Sequence, residues 1–300
     1  MKVIIIGSSG FIGSNLEIYL SEKAYEVYSC DIIEKKCNAK FTLLDKINPD
    51  YKSLFMKNKF DICINCSGAA SVPYSFENTI YDFELNSFNV VKILDSIKVY
   101  NPECKFINLS SAAVYGNPMV LPVSESNELL PISPYGYHKV IAEKILYEYY
   151  KLWNIRTCSV RIFSAYGNGL KKQLLFDISK KILLEKEIHL YGTGEESRDF
   201  IHIDDICQAI DCIIKGDSFQ STQVNIANGK QITVNELVEI FNKNWVHNKN
   251  VIFDGIERIG DPNKWIADIT ILRSYGYRQS ISIEDGIKRY INWIKNEKLE

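Results

Sequence analysis

The feature that most constrains this chain lies at its start. Val3-Ile4-Ile5-Ile6-Gly7-Ser8-Ser9-Gly10-Phe11-Ile12-Gly13 sets three glycines between an apolar β-branched run and a helical stretch. A turn of this kind seats a dinucleotide pyrophosphate. One glycine makes the tight turn, one lets the backbone approach the phosphates, and one lets the helix pack on the sheet. The free N–H groups and positive dipole end of the helix then face the anion. The spacing is GxxGxxG, a variant of the commoner GxGxxG, and it carries weight because strand and helix flank it.

The rest of the chain continues this pattern. Residues 3–6, 26–30, 61–65, 105–109, 156–163 and 223–227 read as strands, and 12–23, 79–99 and 135–153 as helices. Strands alternating with helices of this length imply βαβ units, hence an α/β fold with a doubly wound parallel sheet. From about Ala165 shorter apolar runs are broken by Gly, Asn and charged residues. The expected division is therefore 1–164 with 198–228 as a dinucleotide-binding domain, and 165–197 with 229–300 as a smaller C-terminal α/β substrate domain.

Composition narrows the function classes. In 300 residues, 46% are hydrophobic and 24% charged, with a formal net charge of -2. No basic excess points to nucleic acid or a membrane surface. No window supplies the ~20 apolar residues of a membrane helix, and the first apolar run is too short for a signal-peptide core, so a cytoplasmic location is expected. Cys63 and Cys66, the CxxC among 8 cysteines, read as strand packing, because no second CxxC or His pair completes a metal site. No metal is expected.

Asp31 ends the second strand run, ~20 residues beyond the glycines, where a carboxylate accepts hydrogen bonds from the adenosine ribose and repels a 2′-phosphate. This favours NAD over NADP, and Lys35 and Lys36 nearby soften the preference. Tyr135 and Lys139 lie four apart on a helix, so both share one face. A phenol ionises near pH ~10 in water. A neighbouring ammonium, with the cationic nicotinamide, is expected to favour the phenolate and let Tyr135 exchange a proton with a substrate hydroxyl while hydride moves. Ser111 closes the run Phe106-Ile107-Asn108-Leu109-Ser110-Ser111 at the carboxyl edge of a strand. Ligands of open α/β sheets bind at that edge, where a serine can hold the reacting oxygen. His138 is a rival acid on the same helix, His202 reads as structural, and Asp204 or Asp205 is expected to cap a helix beginning near Ile206. Trp265 reads either as packing or as ligand rim.

The glycine loop, Asp31, Cys66-Ser67-Gly68-Ala69-Ala70-Ser71-Val72, Asn86, Ser111, Tyr135, Lys139 and Arg198-Asp199-Phe200-Ile201-His202-Ile203-Asp204-Asp205 occur in one order. This resembles the extended short-chain dehydrogenase/reductase superfamily, within the NAD-dependent epimerase/dehydratase family, over nearly the whole chain. The resemblance implies a Rossmann domain holding NAD and a smaller domain for a nucleotide-diphosphate sugar. It matches Ser111, Tyr135 and Lys139 to the catalytic triad, Asn86 to an asparagine that orders helices and water, and residues 66–70 to the loop along the cofactor. It also matches Arg198 and Arg258 to arginines on the diphosphate, and Asp261 to a contact with the nucleotide ribose. Ser164 stands where the family usually carries Asn, and 168–173 is more basic than the family pattern. A homodimer is implied too, since 79–97 and the helix after Tyr135 are apolar on more than one face.

Three family reactions compete. A 4,6-dehydratase carries an Asp-Glu pair after the hydroxyl residue, where this chain has Ala112-Ala113. Neither alanine can move a proton, so dehydration is disfavoured. The favoured expectation is inversion of C4 of a nucleotide-diphosphate hexose through a transient 4-keto sugar. The alternative is a 4-keto sugar reductase that exchanges NAD(P)H at each turnover. A third reading is a cofactor-sensing module without catalysis, against which both Tyr135 and Lys139 stand.

Overall fold

In the computed structural model, the described residues are 1–35, 39–185, 187–245, 249–256, 260 and 262–297. The chain runs β1 (Lys2–Ile6), α1 (Phe11–Glu22), β2 (Glu26–Asp31), β3 (Phe41–Leu43), α2 (Tyr51–Lys57), β4 (Ile62–Asn65), α3 (Val72–Glu77) and α4 (Thr79–Phe83). A π-turn, Glu84–Phe88, joins α4 to α5 (Asn89–Tyr100). Then come β5 (Lys105–Ser111), a 3₁₀ turn (Ala112–Tyr115), α6 (Pro134–Trp153), β6 (Thr157–Ile162), β7 (Ser164–Tyr166), α7 (Gln173–Leu184), β8 (Ile188–Leu190), β9 (Ser197–Arg198) and β10 (Phe200–His202). The remainder is α8 (Ile203–Gly216), β11 (Gln220–Ile226), β12 (Ile232–Thr233), α9 (Val234–Asn244), β13 (Val251–Phe253), α10 (Thr270–Ser274) and α11 (Ile283–Asn296).

Seven strands form one sheet in the order β11-β6-β5-β4-β1-β2-β3, every neighbouring pair parallel. This is the doubly wound Rossmann-type sheet expected. The inner strands β1, β4, β5 and β6 are buried on both faces, which is why apolar runs mark them in the sequence. In β1, Val3 and Ile5 join a cluster with Leu16 and Ile206, while Ile4 and Ile6 join one with Phe55, Ile93 and Leu146. Side chains that alternate along a strand thus separate into two cores. The CxxC obeys the same rule: Cys63 packs in the second cluster and Cys66 against the first, so the two thiols do not converge.

A third cluster gathers Tyr166, Leu175, Ile188, Phe241, Ile287 and Tyr290 beside the sheet. Trp265, Leu272 and Tyr277 pack instead with the first cluster. One expectation is corrected here. The helix expected near Ile206 begins at Ile203, and its cap is His202, whose Nδ1 accepts the Asp204 N–H at 3.2 Å. Asp205 is turned elsewhere and accepts the N–H groups of Ser280 (3.0 Å) and Ile281 (3.2 Å). Among the described residues no helix is long and apolar enough to cross a membrane.

Candidate active site

Beyond β1 the glycine loop turns into α1, whose N-cap is Gly10 with no side chain closing the first turn. Gly7 has φ +80°, a left-handed conformation that favours glycine. A Cβ on Gly13 would lie 2.2 Å from the Gly7 carbonyl oxygen, so α1 sits against the loop only because position 13 has no side chain. Asp31, at the end of β2, accepts the Ser9 N–H (2.7 Å) and the Ile33 N–H (3.1 Å), which places its carboxylate against the loop. Lys35 is committed elsewhere, to the Ser8 carbonyl (2.6 Å) and Glu17 (2.5 Å). Lys36 lies outside the described residues.

The other wall is built by β4 and β5 with the helices that follow them. Ser67 Oγ donates to Asn65 Oδ1 at 2.5 Å, and Asn89 Nδ2 donates to Ser67 Oγ at 3.2 Å, fixing the segment around Cys66, Gly68 and Ala69. Asn86 sits in the π-turn, buried, and neither its amide nitrogen nor its oxygen has a protein partner. Inserting one residue into the helical ladder re-aims a side chain, and such turns recur at functional sites. A buried amide of this kind is costly unless another group meets it. The open loop, the carboxylate of Asp31 and the unpaired Asn86 fit a dinucleotide lying across the β1/β4 edge.

Ser111 ends β5, and its Oγ accepts the Ala113 N–H at 3.2 Å. Tyr135 opens α6, with Pro134 before it and Ser133 capping the helix by accepting the Gly136 N–H at 3.1 Å. A Cβ on Gly136 would lie 2.6 Å from the Ala113 carbonyl oxygen, so glycine there lets α6 start against the turn after Ser111. Lys139 follows one turn later, with Nζ 5.7 Å from the Tyr135 ring centroid and donating to the Leu109 carbonyl at 2.8 Å.

Electrostatics depart from the expectation for the tyrosine. Burial pushes the Tyr135 hydroxyl up to about 12, against a lowering influence from the Ser111 hydroxyl, while the Asp82 carboxylate adds to the rise. Burial also pulls the Lys139 ammonium down to about 8, opposed by Asp82 and Glu143. In the chain alone the loss of solvent therefore outweighs the Ser111 hydroxyl and sets the direction for the tyrosine. His138 is not a free acid: its Nδ1 lies 2.6 Å from Asp82 Oδ2, both buried, with the Phe83 ring edge-on at 5.4 Å. This pair, joining α4 to α6, was not legible in the sequence.

Ser111, Tyr135, Ser164 and Arg198 line one cavity of about 800 Å³, together with Ala70, Ser71, Ala113, Lys172 and Trp265. Arg198 donates to the Ser197 carbonyl at 2.9 Å, and its guanidinium carbon lies 5.8 Å from the Trp265 ring centroid. Trp265 packs in the first core cluster and also lines the cavity, and its indole N–H donates to the Gly116 carbonyl at 3.0 Å. Arg258 and Asp261 lie outside the described residues. No group of three or more His, Cys, Asp or Glu among the described residues is placed to hold a metal.

A parallel sheet with a glycine loop at one strand end and Ser111, Tyr135 and Lys139 gathered at another is the arrangement of a dinucleotide-dependent enzyme of the short-chain dehydrogenase type. The model of the NAD dependent epimerase/dehydratase family matches residues 3–227, and the chain belongs to that family. It is 29% identical to a putative UDP-glucose 4-epimerase of Methanocaldococcus jannaschii, over 98% of each chain. The solved UDP-glucose 4-epimerase of Thermotoga maritima, with UDP-glucose, is 26% identical and superposes with a TM-score of 0.89 over 98% of this chain and 99% of that one. The UDP-glucuronic acid 4-epimerase of Bacillus cereus, solved with UDP-glucuronic acid and NAD, shares the fold at 24% identity and a TM-score of 0.89, covering 98% and 99%.

Proposed function

We propose that this chain inverts C4 of a nucleotide-diphosphate hexose through a transient 4-keto sugar, with NAD as a cofactor regenerated in each turnover. The observation that carries this reading is one cavity holding Ser111 and Tyr135, backed by Lys139, with Ala113 in its wall where a dehydratase needs a proton-moving side chain. Among the described residues the acids lining that cavity are Asp177 and Glu196, which are engaged by Lys181 (2.9 Å) and by the N–H groups of Thr193 and Gly194 (both 2.9 Å).

Gly7, Gly10, Phe11, Ile12 and Gly13 would hold the pyrophosphate, Asp31 the adenosine ribose, and Cys66–Ala69 with Asn86 the cofactor's inner half. NAD, when bound, would supply an acceptor and then a donor of hydride for C4. Tyr135 removes the proton of the 4-hydroxyl and later restores it, Ser111 holds that oxygen, and Lys139 keeps positive charge beside the phenol. Ser164, Arg198 and Arg258 would retain the diphosphate, and Asp261 the nucleotide ribose, while the keto sugar turns its other face. A guanidinium suits that task because its fork meets phosphate oxygens in a fixed geometry. Segments 165–197 and 229–300 are assigned to the nucleotide end, and the location is taken as cytoplasmic.

The same reading includes a homodimer. Ile80, Phe83 and Phe88 on one helical run, with Tyr137, Ile141 and Tyr147 on α6, leave 37–79% of their surface exposed on the side away from the sheet. Two copies of this pair would form a four-helix bundle. The reaction is tested by supplying UDP-, dTDP- and GDP-hexoses, including hexuronates, without added reductant. Interconversion of an epimer pair is the expected result. Stoichiometric consumption of NADH with a 4-keto sugar, and no interconversion, would replace the epimerase by a reductase.

A further inference from the structure

Tyr135, Lys139 and Glu143 recur every four residues along α6 and therefore share one helical face. Glu143 is buried, and among the described residues its carboxylate is bonded from two strands, β5 and β6. Ser110, the residue before Ser111 on β5, donates its hydroxyl to Glu143 Oε1 at 2.6 Å. Arg161 on β6 donates Nε to the same oxygen at 3.0 Å and Nη2 to Oε2 at 2.7 Å. The remaining side of Arg161 reaches past the cavity. Its Nη1 donates to Tyr115 Oη at 2.8 Å and to the Glu125 carbonyl at 3.0 Å, and Tyr115 Oη donates to Asn225 Oδ1 at 2.7 Å.

The three segments that carry the constellation thus meet at one buried ion pair. Ser110 borders Ser111, Tyr115 closes the turn that Ser111 begins, and Glu143 lies one turn beyond Lys139. A buried pair of this kind contributes little net stability compared with apolar packing of the same volume. Its directional bonds instead fix one helix on two strands in a single register, and catalytic geometry tolerates little slack. We propose that Glu143, with Arg161 and Ser110, is a positioning residue that locks the helix bearing Tyr135 and Lys139 onto the strand bearing Ser111. The charged and titratable groups bearing on Lys139 are Asp82 with its partner His138, Glu143 with Arg161, Cys66 and Tyr135. Glu143 therefore also helps keep the ammonium charged. The inference rests on the assignment of Ser111, Tyr135 and Lys139 above.

Glu143→Gln alone would leave Arg161 buried without its counter-charge, so the test uses Glu143→Met/Arg161→Met, which removes both charges at similar volume. The expected variant folds with a Tm at or above wild type and binds NAD at pH 7 within about threefold of wild type. Its kcat falls by about 10- to 100-fold with little change in KM, the size expected when reacting groups lose alignment. Its loss of NAD affinity at alkaline pH begins at a lower pH, because Lys139 has lost a supporting carboxylate. Ser110→Ala, which keeps the ion pair, should lower kcat severalfold at unchanged Tm, and Ser110→Thr should restore it. Wild-type kcat and wild-type pH dependence of NAD binding in the folded double variant would overturn the proposal. So would wild-type kcat in Ser110→Ala if the double variant does not fold. A wild-type chain that binds NAD but turns over no nucleotide hexose would defeat the proposed reaction instead, and the NAD–pH comparison would still judge this one.

Discussion

Lys139 shows how a residue can oppose folding and still be required. Its ordinary pKa of 10.5 drops to about 8 because the ammonium is buried, with the Leu109 carbonyl as its hydrogen-bond acceptor. A lysine whose pKa is lower when folded binds protons less tightly in the native state. The native state is therefore penalised below pH 8, and the penalty fades as pH rises from about 8 towards 10.5. At about 1.4 kcal/mol per unit, offset by a carbonyl left unpaired, Lys139→Met should stabilise the ligand-free chain by about 1–2 kcal/mol at pH 7. Denaturant unfolding at pH 7 and pH 10 checks this, and the advantage should shrink at the higher pH. Tyr135→Phe should lower kcat by about 10²–10⁴-fold, the usual contribution of a general acid–base group, with the NAD dissociation constant nearly unchanged. Isothermal titration beside the assay separates the two effects. Asp31→Ala should narrow the preference for NAD over NADP, read as the ratio of their dissociation constants; an unchanged ratio would mean Asp31 is not the ribose ligand.

At the scale of elements, the strand–loop–helix unit depends on close backbone approach. Gly13→Ala would drive a methyl group into the Gly7 carbonyl, an atom that cannot rotate away. NAD affinity should fall at least about tenfold, with a lowered Tm, since an overpacked contact commonly costs about 1–3 kcal/mol. Much of this level was legible in the sequence. The expected helix at 79–99 is found as α4, the π-turn and α5, and the expected helix at 135–153 as α6 (Pro134–Trp153). Apolar periodicity reports such elements because burial of one face enforces it. The short edge strand Phe41–Leu43 escaped notice because its residues are largely exposed and carry no run of buried side chains. The π-turn escaped because one extra residue in a helix leaves no compositional trace. The Asp82–His138 and Glu143–Arg161 pairs join residues far apart in the chain, so only the fold brings them together. Helical spacing placed Tyr135 and Lys139 as candidates, and a strand end placed Ser111, but neither foretold that burial and Asp82 would raise the tyrosine.

For the whole molecule, one sheet carries both parts of the proposed reaction: the glycine loop, Asp31 and the segment after β4 at the ends of β1, β2 and β4, and Tyr135 brought by α6 to the end of β5. The outer faces of α4–α6 leave Ile80, Tyr137 and Tyr147 at 79%, 58% and 54% exposure. Light scattering at micromolar concentration should give twice the chain mass, and Tyr147→Glu with Ile80→Glu should halve it. The central claim is that hydride leaves C4 and returns to C4 of the same sugar. The most direct measurement supplies a nucleotide hexose deuterated at C4 together with excess unlabelled NADH, and follows the label by mass spectrometry. Both epimers should retain deuterium at C4, with a primary isotope effect on the rate and none of the label in the free NADH pool. Label appearing in that pool, or lost to solvent, would contradict it.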